Sequence, residues 1–172
     1  MKGVTYLENF LMSSTELFEY LKQHVIWDER MAARKTASYG VAYNYSQMHY
    51  PHQNFPGELL EVLLKIEQTV GFRPNNCLIN YYLDGRSKMG YHSDQTDILV
   101  KGTGVVIVSL GETHTLRFRN IANKEVIRDY LLPSGSLIYM RNDVQDKWQH
   151  AVPKSDTPQG RMSLTFRQIK ET

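Results

Sequence analysis

The hydrophobic pattern changes period once along the chain, near residue 75. Before that point the periodic stretches are helical. Ser13-Ser14-Thr15 ahead of Glu16-Leu17-Phe18-Glu19-Tyr20-Leu21 predicts a capped amphipathic helix to about Val25, with Leu17, Phe18 and Leu21 toward a core. A second helix, about Glu58 to Thr69, follows Pro56-Gly57 and stops at Gly71; Leu59, Leu60, Leu63 and Ile66 form its stripe. Between the helices, Ala33 to Tyr50 offers strand-like pieces without a helical period, and the two prolines of Tyr50–Pro56 mark a loop. From Asn76 the alternation is that of strands: Asn76–Tyr82, Met89–Asp94, Gly104–Leu110, Thr115–Arg119, Glu125–Leu132, Ser136–Met140, Trp148–Val152 and Met162–Ile169. Turns are expected at Asp84-Gly85, Leu110-Gly111 and Ser134-Gly135. Short strands behind two helices predict an α+β, mainly β fold: a double-stranded β-helix (jelly roll) flanked by N-terminal helices. The whole chain, 1–172, reads as a single domain, with the helices and the irregular stretch in 1–75 and the jelly roll in 76–169.

Composition changes this picture little. A chain of 172 residues can bury its own core, and 41% hydrophobic with 22% charged residues is ordinary for a soluble globular protein. Tyrosine dominates the aromatics with 11 copies, which suits surfaces that stack while staying wet. A net charge of +2 permits a polyanionic partner without demanding one. The single cysteine, Cys77, rules out an internal disulfide and thiolate zinc sites, and its run Cys77-Leu78-Ile79 suggests an inert core thiol. Without a signal-peptide pattern or a membrane-spanning run, the expectation is a soluble intracellular monomer, cytoplasmic, or nuclear in a eukaryote, with no membrane association.

The candidate chemistry centres on Gly90-Tyr91-His92-Ser93-Asp94. On an extended segment His92 and Asp94 point to the same side, and with one distant histidine they would make the facial two-His-one-carboxylate set of non-haem Fe(II) sites. His150, on a late strand, is the best-placed third ligand; His24 ends a helix, His49 and His52 lie in the irregular stretch, and His114 falls in a turn. The plain alternative is a solvated polar strand end. In Arg161-Met162-Ser163-Leu164-Thr165-Phe166-Arg167, alternation sends Met162, Leu164 and Phe166 to one face and two arginines flanking two hydroxyls to the other. Such a row suits an anion such as a dicarboxylate, because the guanidinium fork binds carboxylates bidentately. The alternative is an outer strand face with solvated arginines.

Taken in order, Cys77-Leu78-Ile79-Asn80-Tyr81-Tyr82, the His92/Asp94 pair, His150 and Arg161…Leu164-Thr165-Phe166-Arg167 resemble the AlkB-like 2-oxoglutarate- and Fe(II)-dependent dioxygenases over about Ala37 to Ile169. The resemblance implies that His92, Asp94 and His150 hold iron. It also implies that Asn80 and Tyr82 contact 2-oxoglutarate, that Arg161 pairs with its distal carboxylate and that Arg167 lies against it near the metal. The family's reaction consumes 2-oxoglutarate and O2, releases succinate and CO2, and hydroxylates a nearby C–H bond. On an N-methyl group the hydroxymethyl product decays to formaldehyde.

Ala37-Ser38-Tyr39-Gly40 with Tyr43-Asn44-Tyr45-Ser46 looks like the nucleotide-recognition lid of the repair branch, which makes Tyr45, with Tyr43 second, the candidate to stack on an extruded base. The alternative for both tyrosines is an ordinary half-buried strand position. Arg34, Lys35, Arg117 and Arg119 are available for a phosphate backbone. Two positions depart from the family pattern. Thr96 stands where repair enzymes resemble one another in having an acid, with Asp97 next to it, and Ser163 stands where the motif often has Asn. The expected function is oxidative demethylation of methylated nucleic acid, DNA or RNA, with single-stranded or damaged sites preferred. The rivals are a protein or small-molecule hydroxylase on the same machinery and a non-catalytic binding module.

Overall fold

The protein, a computed structural model, is described over residues 1–45 and 48–171. Its strands are β1 (Val4–Leu7), β2 (Lys35–Gly40), β3 (Asn76–Tyr82), β4 (Met89–His92), β5 (Val105–Gly111), β6 (His114–Asn120), β7 (Ile127–Leu132), β8 (Leu137–Met140), β9 (Trp148–Val152) and β10 (Arg161–Arg167). The helices are α1 (Ser14–His24), α2 (Gly57–Val70) and the short α3 (Asn142–Lys147). A six-stranded sheet has the order β1-β8-β5-β10-β3-β2 and a four-stranded sheet the order β4-β9-β6-β7; every pairing is antiparallel. The fold is thus mainly β. Among the described residues no helix is long and apolar enough to cross a membrane.

Strand alternation decides what each sheet face meets. In β3 all seven residues are buried, because the larger sheet is covered on both sides. Cys77, Ile79 and Tyr81 join Met162, Leu164 and Phe166 of β10 in a core under α1 and α2. Leu17 and Leu21 reach that core from α1; Leu59, Val62, Leu63 and Ile66 reach it from α2. A second core, with Val105, Ile138 and Met140 of one sheet against Leu116, Phe118, Leu132 and Val152 of the other, holds the two sheets face to face. Cys77 is fully buried, which pushes its thiol far above the usual range and leaves it inert.

Several expectations are corrected. Leu60 is 45% exposed, being one residue and so about 100° round the helix from Leu59; Val62 takes its place in the stripe. β1 was not anticipated as a strand, and β2 falls among the strand-like pieces expected between Ala33 and Tyr50 without having been delimited. β1 is a four-residue edge strand, and β2, Lys-Thr-Ala-Ser-Tyr-Gly, buries small and polar residues that give no apolar alternation. Both extend the larger sheet, so residue 75 is not a seam between a helical part and a β part. α3 is too short and polar to show a helical period. Beyond β2 the chain turns back on itself: Tyr43 and Tyr50 exchange backbone hydrogen bonds, as do Gly40 and Gln53. The Asn76 side-chain amide donates to Ser38 Oγ and to the carbonyls of Tyr39 and Val41, and the Tyr50 hydroxyl donates to Asp28 at 3.1 Å. This segment therefore has a fixed base. Ser46, the last residue of the expected lid motif, lies outside the described residues.

Candidate active site

β4 and β9 pair with an irregularity between Met89 and His92 that sets His92 opposite His150, which brings the two imidazoles to 4.3 Å between ring centroids. Asp94 follows β4, its backbone N–H held by the Gln145 side-chain oxygen at 2.8 Å. His92 Nε2 and His150 Nε2 each stand 3.4 Å from Asp94 Oδ1, and one ligand atom from each residue lies within 4.8 Å of the others. The Gly90 carbonyl faces His92 Nδ1 at 2.9 Å. A carbonyl can only accept, so the ring proton sits on Nδ1 and the Nε2 lone pair turns toward the carboxylate. Lone pairs converging on one point from a buried wall are the donor set of a divalent cation, with the outer hydrogen bond orienting the ligand. Burial alone would raise the Asp94 pKa; with protons in place of a metal, the Nε2–H groups of His150 and His92 donate to the carboxylate instead, which outweighs burial and holds it far below its usual range.

These residues line a cavity of about 470 Å3. Six of the seven expected metal and co-substrate residues share its wall: His92, Asp94, His150, Asn80, Tyr82 and Arg167. Arg161 lies behind Tyr82, its guanidinium 4.1 Å from the ring centroid, on the wall of a second cavity of about 110 Å3. His114 lines both cavities. The reading of β10 as an outer face with solvated arginines does not hold, since Arg161 is 3% and Arg167 7% exposed. Each leaves its Nη1 buried without a partner, and burial draws the Arg161 guanidinium down to about 10. Buried charges are normally paired, so the guanidinium of Arg167 on the cavity wall and that of Arg161 behind Tyr82, without hydrogen-bond partners for Nη1 among the described residues, suit a dianion that also reaches a metal. The residues present therefore fit both Fe(II) and 2-oxoglutarate.

The substrate-side expectations divide. Tyr43, 5% exposed, lines the cavity and lies 5.4 Å from the Arg167 guanidinium, whereas Tyr45 packs edge-on against Tyr43 at 5.3 Å. Of the two tyrosines, Tyr43 is the one on the cavity wall. Among the described residues Thr96 and Asp97 lie off the cavity wall, and Gln95 takes the position expected of them. Arg34 lines the cavity but donates inward to Asn80; Lys35 pairs with Glu29 at 2.9 Å and Arg117 with Asp129 at 2.8 Å. Exposed pairs of that kind are worth about 0–1 kcal/mol, so both cations stay available to a polyanion. Arg119 lies 3.8 Å over the Tyr91 ring, which forms part of the cavity wall.

Two residues at the site were missed. Gln145 belongs to the unanticipated α3. His114, expected as a solvated turn residue, opens β6 and is 7% exposed. Burial first, then the charge of Arg161, lowers its pKa from 6.5 to about 3. The unfolded chain therefore binds a proton between those values that the fold excludes. Stability should fall as pH drops below about 6.5, by at most about 1.4 kcal/mol per pH unit from this group. A His114→Gln variant is expected to show a shallower acid limb when unfolding free energy is measured by denaturant across that range; an unchanged limb would contradict the burial argument.

A family model described as the 2OG-Fe(II) oxygenase superfamily matches residues 3–167. The rat alpha-ketoglutarate-dependent dioxygenase alkB homolog 3 is 31% identical over 173 residues, covering 89% of this chain and 59% of that protein. The bovine DNA oxidative demethylase ALKBH2 is 30% identical over 151 residues, covering 81% of this chain and 54% of that protein. The chain thus spans little more than half the length of these curated relatives. The solved structure of OsALKBH1 superposes with a TM-score of 0.70 at 18% identity, covering 98% of this chain and 99% of that one, which is a likeness of fold.

Proposed function

Since the chain belongs to the 2OG-Fe(II) oxygenase superfamily, we propose that it is an Fe(II)- and 2-oxoglutarate-dependent dioxygenase that oxidatively demethylates alkylated bases in nucleic acid. The observation that carries this reading is one cavity with a cation site, His92, Asp94 and His150, beside the buried, partnerless guanidinium of Arg167 and, behind Tyr82, that of Arg161. The similarity to alkB homolog 3 and to a DNA oxidative demethylase supports the substrate class. On this reading the two facing sheets are a double-stranded β-helix, and residues 1–172 act as one domain.

When bound, Fe(II) and 2-oxoglutarate supply the oxidation of a methyl C–H by O2, with release of succinate and CO2. The protein's own groups do the rest. His92 Nε2, the Asp94 carboxylate and His150 Nε2 would hold the metal. Arg161 would take the distal carboxylate of 2-oxoglutarate, and Asn80, Tyr82 and Arg167 would hold the rest of it. Leu78, Ile98, Ile107, Leu116 and Val152 make much of the remaining wall apolar and keep water from the reacting carbon. Tyr43 offers a ring for an extruded base, braced by Tyr45, while Lys35, Arg117 and Arg119 are the cations offered to phosphates. Single strands and damaged sites are preferred because unstacking there costs least.

The test is aerobic incubation with Fe(II), 2-oxoglutarate and a panel of N-methylated DNA and RNA oligonucleotides, followed by mass spectrometry. Loss of a methyl group with matching formaldehyde is expected. Succinate formation with every oligonucleotide left intact would overturn the nucleic-acid reading in favour of a protein or small-molecule hydroxylase. Tyr43→Ala should also weaken binding of a methylated single strand by about 1–3 kcal/mol, the worth of one base–aromatic stack. Fluorescence anisotropy would check this, with Tyr43→Trp expected to retain affinity.

A further inference from the structure

Arg34 looks in sequence like a phosphate contact, but its side chain turns inward. Its Nε donates to Asn80 Oδ1 at 2.7 Å, and both residues line the main cavity. The contact is set by the sheet: Arg34 directly precedes β2, whose Thr36 pairs with Asn80 of β3. Asn80 is 8% exposed and on its other side pairs with Ser163 of β10, between the two arginines of that strand. An amide has one accepting end and one donating end, and arginine has no acceptor. The bond to Arg34 therefore fixes which way round the Asn80 amide sits: the oxygen faces Arg34 and the NH2 is left for the cavity. With the amide reversed, an oxygen would face any bound carboxylate, lone pair against lone pair.

We propose that Arg34 is a positioning residue for the co-substrate, holding the Asn80 amide with its NH2 toward the 2-oxoglutarate side of the cavity, and that it is not a contact to the nucleic-acid backbone. This rests on the reading of the cavity as a 2-oxoglutarate site. It also ties the segment that carries the tyrosines to co-substrate binding, because Arg34 and the Tyr43–Tyr50 turn flank the same strand, β2.

The test is calorimetric titration of 2-oxoglutarate into the Mn(II)-loaded protein, where no turnover occurs. Arg34→Ala should weaken binding about tenfold, the order expected for one charged hydrogen bond. Arg34→Lys, which can still donate to the same oxygen, should recover most of the loss. Asn80→Ala should weaken binding to a similar extent, and Arg34→Ala added to Asn80→Ala should cost nothing more, because nothing remains to be positioned. The salt dependence of single-stranded oligonucleotide binding should be unchanged in Arg34→Ala, whereas a lost phosphate contact would reduce the slope by about 0.7. Native 2-oxoglutarate affinity in Arg34→Ala, losses that add with those of Asn80→Ala, or a reduced salt slope would each overturn the proposal. No effect of Asn80→Ala in a protein that binds 2-oxoglutarate would overturn it too. Failure of the unaltered Mn(II) protein to bind 2-oxoglutarate would instead remove the reading on which the proposal rests.

Discussion

Arg161→Ala is expected to lose 2-oxoglutarate affinity by about 3–5 kcal/mol, the cost of breaking a buried charge pair, while keeping its affinity for Mn(II). Arg161 is 3% exposed and stacked on Tyr82, and it has a buried Nη1 with no partner. Beyond the contact with the Tyr82 ring, a cation in such a place is stabilised by an anion that arrives from solution. Lysine would keep the charge but lose the planar fork, so Arg161→Lys should recover only part of the affinity. Pyruvate provides the control, since it shares the oxo-acid end of 2-oxoglutarate and lacks the distal carboxylate. Its weak binding should be the same in native protein and in Arg161→Ala. If calorimetry gave equal losses for both ligands, Arg161 would be acting on the cavity as a whole and not on the distal group.

The second large effect concerns the metal. His150→Ala should lower Mn(II) affinity at least a hundredfold by equilibrium dialysis. It removes one of three protein donors whose positions are fixed by the pairing of β4 with β9. Gln145→Leu should have a smaller effect, about tenfold, because Gln145 reaches the metal only through the backbone it holds at Asp94. His24, which lies exposed on α1 and stacks on Tyr20, serves as the negative control. Unchanged metal affinity in His150→Ala would remove the proposed ligand set.

How much of this was legible in the sequence depended on whether position alone fixes a side chain's direction. On a strand it does. Alternation along β10 separated Met162, Leu164 and Phe166, which lie in the core, from Ser163, Thr165 and Arg167, which line the cavity; His92 and Asp94 also reach that cavity together, although β4 ends at His92 and Asp94 follows it. Which of the two β10 faces looked inward was not readable, because that depends on the second sheet covering it. The bounds of β2 stayed unread within its strand-like stretch because Thr36, Ala37 and Ser38 are buried by neighbours and not by their own hydrophobicity. His114 was misread for a related reason. Its turn-like context, Gly111-Glu112-Thr113, gives no sign that the chain re-enters the sheet at once and carries the imidazole beside Arg161. Which of Tyr43 and Tyr45 meets the cavity was not readable, because the sequence around them has no period from which to infer a direction. Arg34 shows the same limit, since its charge suggested a partner outside and the strand register supplied one inside.

The central claim is that one cavity takes a divalent metal and 2-oxoglutarate side by side. Anomalous diffraction from crystals grown anaerobically with Mn(II) and 2-oxoglutarate tests it most directly. The account predicts a single strong peak bonded to His92 Nε2, the Asp94 carboxylate and His150 Nε2, with continuous density for the dicarboxylate from the metal to Arg161. A peak held by other residues, or 2-oxoglutarate density that leaves Arg161 without a partner, would contradict it.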